Sequence, residues 1–316
     1  MSNKWKFFWV VSFVFVVFFQ ACGSWEEIFI SLADEKKMGR EFDSLIRIGD
    51  PQVIEAGKGD KLLEPSTAAE IEFWNYYQER GKQIVGKIDD KNFKDLLPGS
   101  EKLCRNGVTN SITNAKDKVT CNKNNFFEFN IIKSKTVNAF AVPGGYVYFY
   151  TAILKDFKSE SELMSVLGHE VGHVVQHHSR ERMLKSSAAS TLISIFLGDG
   201  IAGLIGLLGA NFWLLSNSRE NELEADEMGY YYTNAIGISS KGLSDFFGRG
   251  LKSYNSATGT CNEGKESSVL DVFSTHPPSC ERVVRNNDRM KGQNFDVDKN
   301  FVHGKSFKTL FDETGL

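Results

Sequence analysis

The pentapeptide His169-Glu170-Val171-Gly172-His173 brings two imidazoles and a carboxylate together within five residues. On a helix, positions i and i+4 share a face, so both imidazoles can reach one metal ion. Glu170 lies about 100° round from His169. That puts it beside the ion rather than on it, where a base for a metal-activated water belongs. The surrounding valines and leucines argue against two merely solvated histidines, because unpaired polar groups are costly among apolar side chains. Catalytic zinc takes three protein ligands and keeps one position open. Only six histidines occur, at 169, 173, 177, 178, 276 and 303, so a carboxylate is a serious candidate for the third ligand. The stretch from Ser218 to Gly229 supplies several. Glu222 and Asp226 share a helical face, whereas Glu220 and Glu224 point elsewhere. That face offers one ligand plus an acidic group able to hold an imidazole by its other N–H. His177 reads as a surface histidine, His178 as structural, and His303 has no context.

These residues need elements to position them. Ser159 and Glu162 form a capping-box pattern. Leu163, Met164, Val166, Leu167, Val171, Val174 and Val175 then predict an apolar helix running to about His178. A second helix is predicted to open at Asn217 or Ser218 and to carry Glu222 and Asp226. Upstream, residues 137–150 read as two short strands joined at Pro143-Gly144-Gly145, where proline presets φ and glycine accepts the positive φ of a type II turn. Residues 126–132 are strand-like, and 66–88 read as a helix capped at Ser66. Residues 33–46 suit a helix within a charged lead-in, and 89–125 are loop-rich. The apolar stretch 191–215 is long enough to span a bilayer, but Asp199 and five glycines interrupt it. It is read as core helices or a membrane-facing loop.

Four segments in order carry a family resemblance. They are Asn138-Ala139-Phe140-Ala141-Val142-Pro143-Gly144-Gly145; His169-Glu170-Val171-Gly172-His173 with Gln176-His177-His178; Ser218 to Asp226; and Thr275-His276-Pro277-Pro278 with Arg282. From about residue 130 to 290 the chain resembles the HtpX/BepA-like zinc metallopeptidases, gluzincins of peptidase family M forty-eight. The resemblance implies one zinc per chain held by His169, His173 and Glu222, with Glu170 as general base and Asp226 supporting a ligand. It implies an α+β fold, a mainly helical zincin domain with a small β-sheet. The edge strand of that sheet lines the active site through Asn138, Ala139, Phe140, Ala141, Gly144 and Gly145. An extended peptide could add to such a strand by main-chain hydrogen bonds. In the BepA-like relatives the matching loop histidine can fill the open zinc position, a role open to His276. His276 and Arg282 are also placed, by position only, as donors to a developing oxyanion.

Composition sets the context. The 316 residues are 41% hydrophobic and 24% charged with net charge −3, an ordinary globular balance that excludes disordered and fibrous classes and gives no sign of a nucleic-acid partner. Six of the 25 phenylalanines fall in the first 19 residues. Lys4 and Lys6, the apolar run Phe7–Phe19 and the small Ala21 directly before Cys22 describe a secretory signal, with Cys22 as a lipid-modification site. In an exported chain the other four cysteines suggest disulfides, with local pairs Cys104–Cys121 and Cys261–Cys280 preferred.

The resulting expectation has residues 1–21 as signal peptide, 22–65 as lead-in, 66–292 as a zinc metallopeptidase domain and 293–316 as a tail. The function expected is endopeptidase cleavage of unfolded or flexible polypeptides during protein quality control in the periplasm, by a lipid-anchored protein. The alternatives are a chaperone-like binding protein whose zinc site is closed by His276, and a membrane-integral protease. Oligomeric state is not legible in the sequence.

Overall fold

The computed structural model describes residues 32–50, 60–96, 123–186, 216–255, 258, 260–261, 276, 279–292 and 305–316. The signal and Cys22, Cys104, Cys121, His303 and the stretch 191–215 lie outside the described residues. In chain order the elements are α1 (Leu32–Ile48), β1 (Lys61–Leu62), α2 (Ala68–Val85), α3 (Asp90–Asp95), α4 (Lys123–Phe126), β2 (Glu128–Lys133), β3 (Ala139–Val142), β4 (Tyr146–Tyr150) and α5 (Thr151–Asp156). They continue with α6 (Glu160–Val175), α7 (His178–Ser186), α8 (Arg219–Ala235), α9 (Lys241–Arg249), β5 (Tyr254–Asn255), β6 (Thr260–Cys261), α10 (Cys280–Met290) and α11 (Phe307–Asp312). The fold is α+β, mainly helical with a small mixed sheet. Among the described residues no helix is long and apolar enough to cross a membrane.

The main sheet has the order β1-β2-β4-β3, with β2 and β4 parallel and the outer pairs antiparallel. Apart from Lys133, the residues of β2, β3 and β4 are all buried, so both faces are covered. Period-two alternation divides those faces. Phe129, Ile131, Ala139, Ala141, Val147 and Phe149 enter the main core with α2 and α6. The Tyr148 hydroxyl on the other face donates to Asp43 of α1 at 2.6 Å. Helix α1 turns Met38, Phe42 and Ile46 inward, all fully buried. At the far end of the chain, Phe307 and Phe311 of α11 pack on Phe73 of α2, with ring centroids 6.1 and 5.2 Å apart.

Several boundaries differ from the sequence expectation. Helix α2 is capped by Thr67, not Ser66: Thr67 Oγ1 accepts from Glu70 N at 3.1 Å, while the Glu70 carboxylate accepts from the Ser66 and Thr67 amides. Helix α6 starts as expected, with Ser159 accepting from Glu162 N at 3.3 Å. Its Glu162 carboxylate, however, turns to the Lys158 amide, so the reciprocal half of the capping box is displaced by one residue. The same helix ends at Val175 and not at His178, because His177 adopts φ 56° and a separate helix starts at His178. The loop-rich stretch contains two short helices, α3 and α4.

Candidate metal centre

Helix α6 runs through the middle of the core, and every one of its residues is buried. Its His169 and His173 turn their Nε2 atoms to within 3.0 Å of each other. Helix α8 crosses α6 closely enough for Glu222 to meet them. The crossing depends on small residues: a Cβ on Gly229 would lie 2.9 Å from His169 N, and one on Gly172 would lie 2.9 Å from Met228 Cβ. Ser218 caps α8, accepting from Asn221 N at 3.2 Å, which sets the helical phase that brings Glu222 inward.

One atom each from His169, His173, Glu222 and His276 converges on a single buried point. His169 Nε2 lies 3.5 Å from Glu222 Oε2 and 3.3 Å from His276 Nδ1. Glu222 Oε1 lies 3.3 Å from His173 Nε2 and 2.9 Å from His276 Nδ1. A tetrahedral zinc with ligand bonds of about 2.0–2.1 Å spaces its ligand atoms about 3.3 Å apart, so the donor set fits that ion. Glu170 stands alongside, 1% exposed. Its Oε1 is 3.3 Å from His276 Nε2, and its Oε2 is buried without a hydrogen-bond partner among the described residues.

The electrostatics of His173 and Glu222 agree with ligand chemistry. Burial, helped by His169, holds the His173 imidazole well below its usual pKa, so it stays neutral as a metal ligand must be. Burial pushes the Glu222 carboxyl up, but Arg282, His276 and His173 overcome it and hold the group well below the carboxylate range. Asp226 is lowered in the same way, burial being outweighed first by Arg282. His276 is raised above its usual value: burial opposes this, and Glu170 and Glu222 outweigh it.

The other expected residues that fall among the described ones have definite places. Asp226 Oδ1 lies 2.9 Å from His169 Nδ1, on the side of the ring away from the cluster. Arg282 donates to both oxygens of Asp226 at 2.8 and 2.7 Å, and its Nη1 lies 2.6 Å from Glu222 Oε2. The guanidinium is thus held by the two carboxylates and is almost fully buried. Strand β3 is the sheet edge. Asn138 O accepts from Tyr150 N, so antiparallel alternation turns the peptide groups of Ala139 and Ala141 away from β4. Clefts lie on either side of His276: one bordered by Asn138, Ala139, His169 and Glu170, the other by Phe140, Ala141, Glu170 and Asn217. Gly144 and Gly145, at φ 78° and 93°, form the turn that closes the hairpin. Cys261 and Cys280 are disulfide-bonded with Cα atoms 6.0 Å apart.

Other side chains contribute in ways that the sequence does not disclose. Asn217 Nδ2 donates to Glu222 Oε1 at 2.8 Å, a contact beyond the helix-cap role that its position predicts. His178 and Glu224 connect to the back of His173. Helix α1 reaches the site from the lead-in: Glu35 lies 2.8 Å from His177 Nδ1, and Lys36 donates to the carbonyls of Phe126 and Gly144, bracing the hairpin turn. The helix itself is expected over 33–46, but no local signal marks its part in the site, because these contacts span about 90 to 140 positions of the chain.

Comparison with known proteins finds relatives named as proteases. Metalloprotease LoiP of Escherichia coli is 30% identical over 168 residues, covering 51% of this chain and 62% of that protein. The mitochondrial metalloendopeptidase OMA1 of Arabidopsis thaliana is 30% identical over 49% of this chain and 30% of its own length. The beta-barrel assembly-enhancing protease of Yersinia pestis is 32% identical over 44% of this chain and 32% of its own. The chain therefore spans from under a third to just under two thirds of these relatives. Residues 105–289, more than half of the chain, match Peptidase family M48, and the chain belongs to that family.

Proposed function

We propose that this chain is a zinc endopeptidase that cuts unfolded or flexible polypeptides in the cell envelope, in protein quality control. The observation that carries the reading is the buried convergence of His169, His173, Glu222 and His276, with the free oxygen of Glu170 beside it. His169, His173 and Glu222 hold the ion. Bound there, zinc supplies Lewis acidity, which polarises a scissile carbonyl and acidifies water.

The protein's own groups do the rest. Glu170 takes the proton from water through its unpaired Oε2 and passes it to the leaving amine. Asp226 orients His169, and Arg282 keeps Asp226 and Glu222 charged and in place. A substrate strand lies along β3, using the outward peptide groups of Ala139 and Ala141, so recognition is mainly by backbone and favours extended chains. His276 fills the fourth position of the donor set and also touches Glu170, which is a closed state that a substrate must displace. Envelope location and a lipid anchor at Cys22 rest on the signal-like N-terminus; the Cys261–Cys280 disulfide fits an oxidising compartment. The names of the relatives, a metalloprotease and a beta-barrel assembly-enhancing protease, fit the same role.

The position of His276 also favours a second reading, a binding protein whose site stays shut. Cleavage of an unfolded polypeptide by wild type, E170Q and H276A separates the two. The enzyme reading expects E170Q to lose at least about a hundredfold in rate with its zinc retained, and H276A to gain. Equal cleavage by wild type and E170Q overturns it. Zinc-loaded wild type and H276A that both fail to cleave establish the binding reading instead.

A further inference from the structure

His178 and Glu224 take no part in that mechanism, yet the chain is bent to bring His178 to the back of His173. Helix α6 stops at Val175, and His177 takes φ 56°, a conformation uncommon outside glycine that costs on the order of 1–3 kcal/mol. The bend starts α7 at His178 and returns its imidazole, 2% exposed, beneath the ring of His173. The two Nδ1 atoms are 2.8 Å apart, with ring planes at 71°. On the other side, His178 Nε2 lies 3.1 Å from Glu224 Oε2.

Only one proton can lie between the two Nδ1 atoms. His173 directs Nε2 at the donor cluster, so a lone pair there places its proton on Nδ1. That N–H donates to His178 Nδ1. The proton of His178 is then on Nε2 and donates to the Glu224 carboxylate. A single assignment satisfies every group in the chain. We propose that His178, oriented by Glu224, is a positioning residue that fixes the tautomer and ring orientation of His173 for metal binding. The two imidazole ligands are thus supported differently, His169 by the carboxylate of Asp226 and His173 by another imidazole. Such outer partners typically change metal affinity 10- to 100-fold. The inference rests on the reading of His173 as a zinc ligand.

The test is zinc affinity by chelator competition for wild type, H173A, H178A, H178N and E224Q, with the melting temperature of each metal-free protein. H178A is expected to bind zinc 10- to 100-fold more weakly. H178N, whose amide oxygen can stand where Nδ1 stood, is expected to recover most of that loss. E224Q should lose less than H178A, because Glu224 is largely exposed. A purely structural role would lower the melting temperature and leave zinc affinity alone. If H178A melts cooperatively and binds zinc within twofold of wild type, the proposal is wrong. Should H178A not fold, nitrogen NMR of zinc-loaded wild type decides: protonated Nδ1 on His173 with bare Nδ1 on His178 supports it, and the reverse overturns it. Equal binding by wild type and H173A would instead remove the ligand reading on which the inference stands.

Discussion

At Arg282, three hydrogen-bond donors meet two buried carboxylates, Asp226 at two oxygens and Glu222 at one. Removing one partner of a buried ion pair leaves the other charge uncompensated, which costs about 3–5 kcal/mol. R282A should lose that much stability in urea denaturation of the metal-free protein. R282K should lose less but not recover fully, since an ammonium cannot grip a carboxylate bidentately. A loss below about 1 kcal/mol in R282A would show that the carboxylates do not depend on it. Glu70 is a second case. Its carboxylate accepts from the Ser66 and Thr67 amides and from Lys133, and these bonds lower its pKa to about 2. A lowered acid stabilises the fold above its unfolded value of 4.5, and that contribution fades as pH falls from there towards 2. The stability gap between wild type and E70Q should therefore be full at pH 6 and shrink between pH 4.5 and 2. A gap independent of pH would assign it to packing instead.

Elements explain what the sequence could and could not disclose. His169 and His173 were legible because helical period is local: five residues suffice to place both rings on one face. Glu222 and Asp226 were legible as a shared face, but the choice of Glu222 came from family resemblance, since helix phase alone leaves either open. The partners of His178, and the roles of Glu224 and Asn217, are not legible in the sequence. The first depend on the left-handed backbone at His177, which no local pattern announces, and the others on how α8 docks against α6. That docking yields the element-scale prediction. Gly229 lets α8 approach the His169 backbone, and a side chain there must push the helices apart. G229V should lower stability by roughly 1–3 kcal/mol and weaken zinc binding at least tenfold, because Glu222 moves away from the histidine pair. Thermal melting and chelator competition check the two effects. If G229V melts lower but binds zinc as wild type does, the close crossing serves stability alone.

Across the whole molecule the site is assembled from distant parts of the chain: α1 at the hairpin turn, α6 and α8 at the donor cluster, and His276 just ahead of α10. The Cys261–Cys280 bond encloses His276, which lies four residues before Cys280. Closing a loop of this size contributes about 3 kcal/mol by chain entropy, so its reduction should lower the melting temperature by roughly 6–12 °C. The same bond limits how far His276 can withdraw from Glu222 and Glu170. Reduction, or a C261S substitution, should therefore raise the rate of unfolded-polypeptide cleavage severalfold as His276 gains freedom to leave. In H276A the gain should vanish, because no side chain remains to be released. That comparison separates control of His276 from general loosening, which would change both proteins alike. Unchanged cleavage by wild type on verified reduction would show that the bond staples the fold without governing the site.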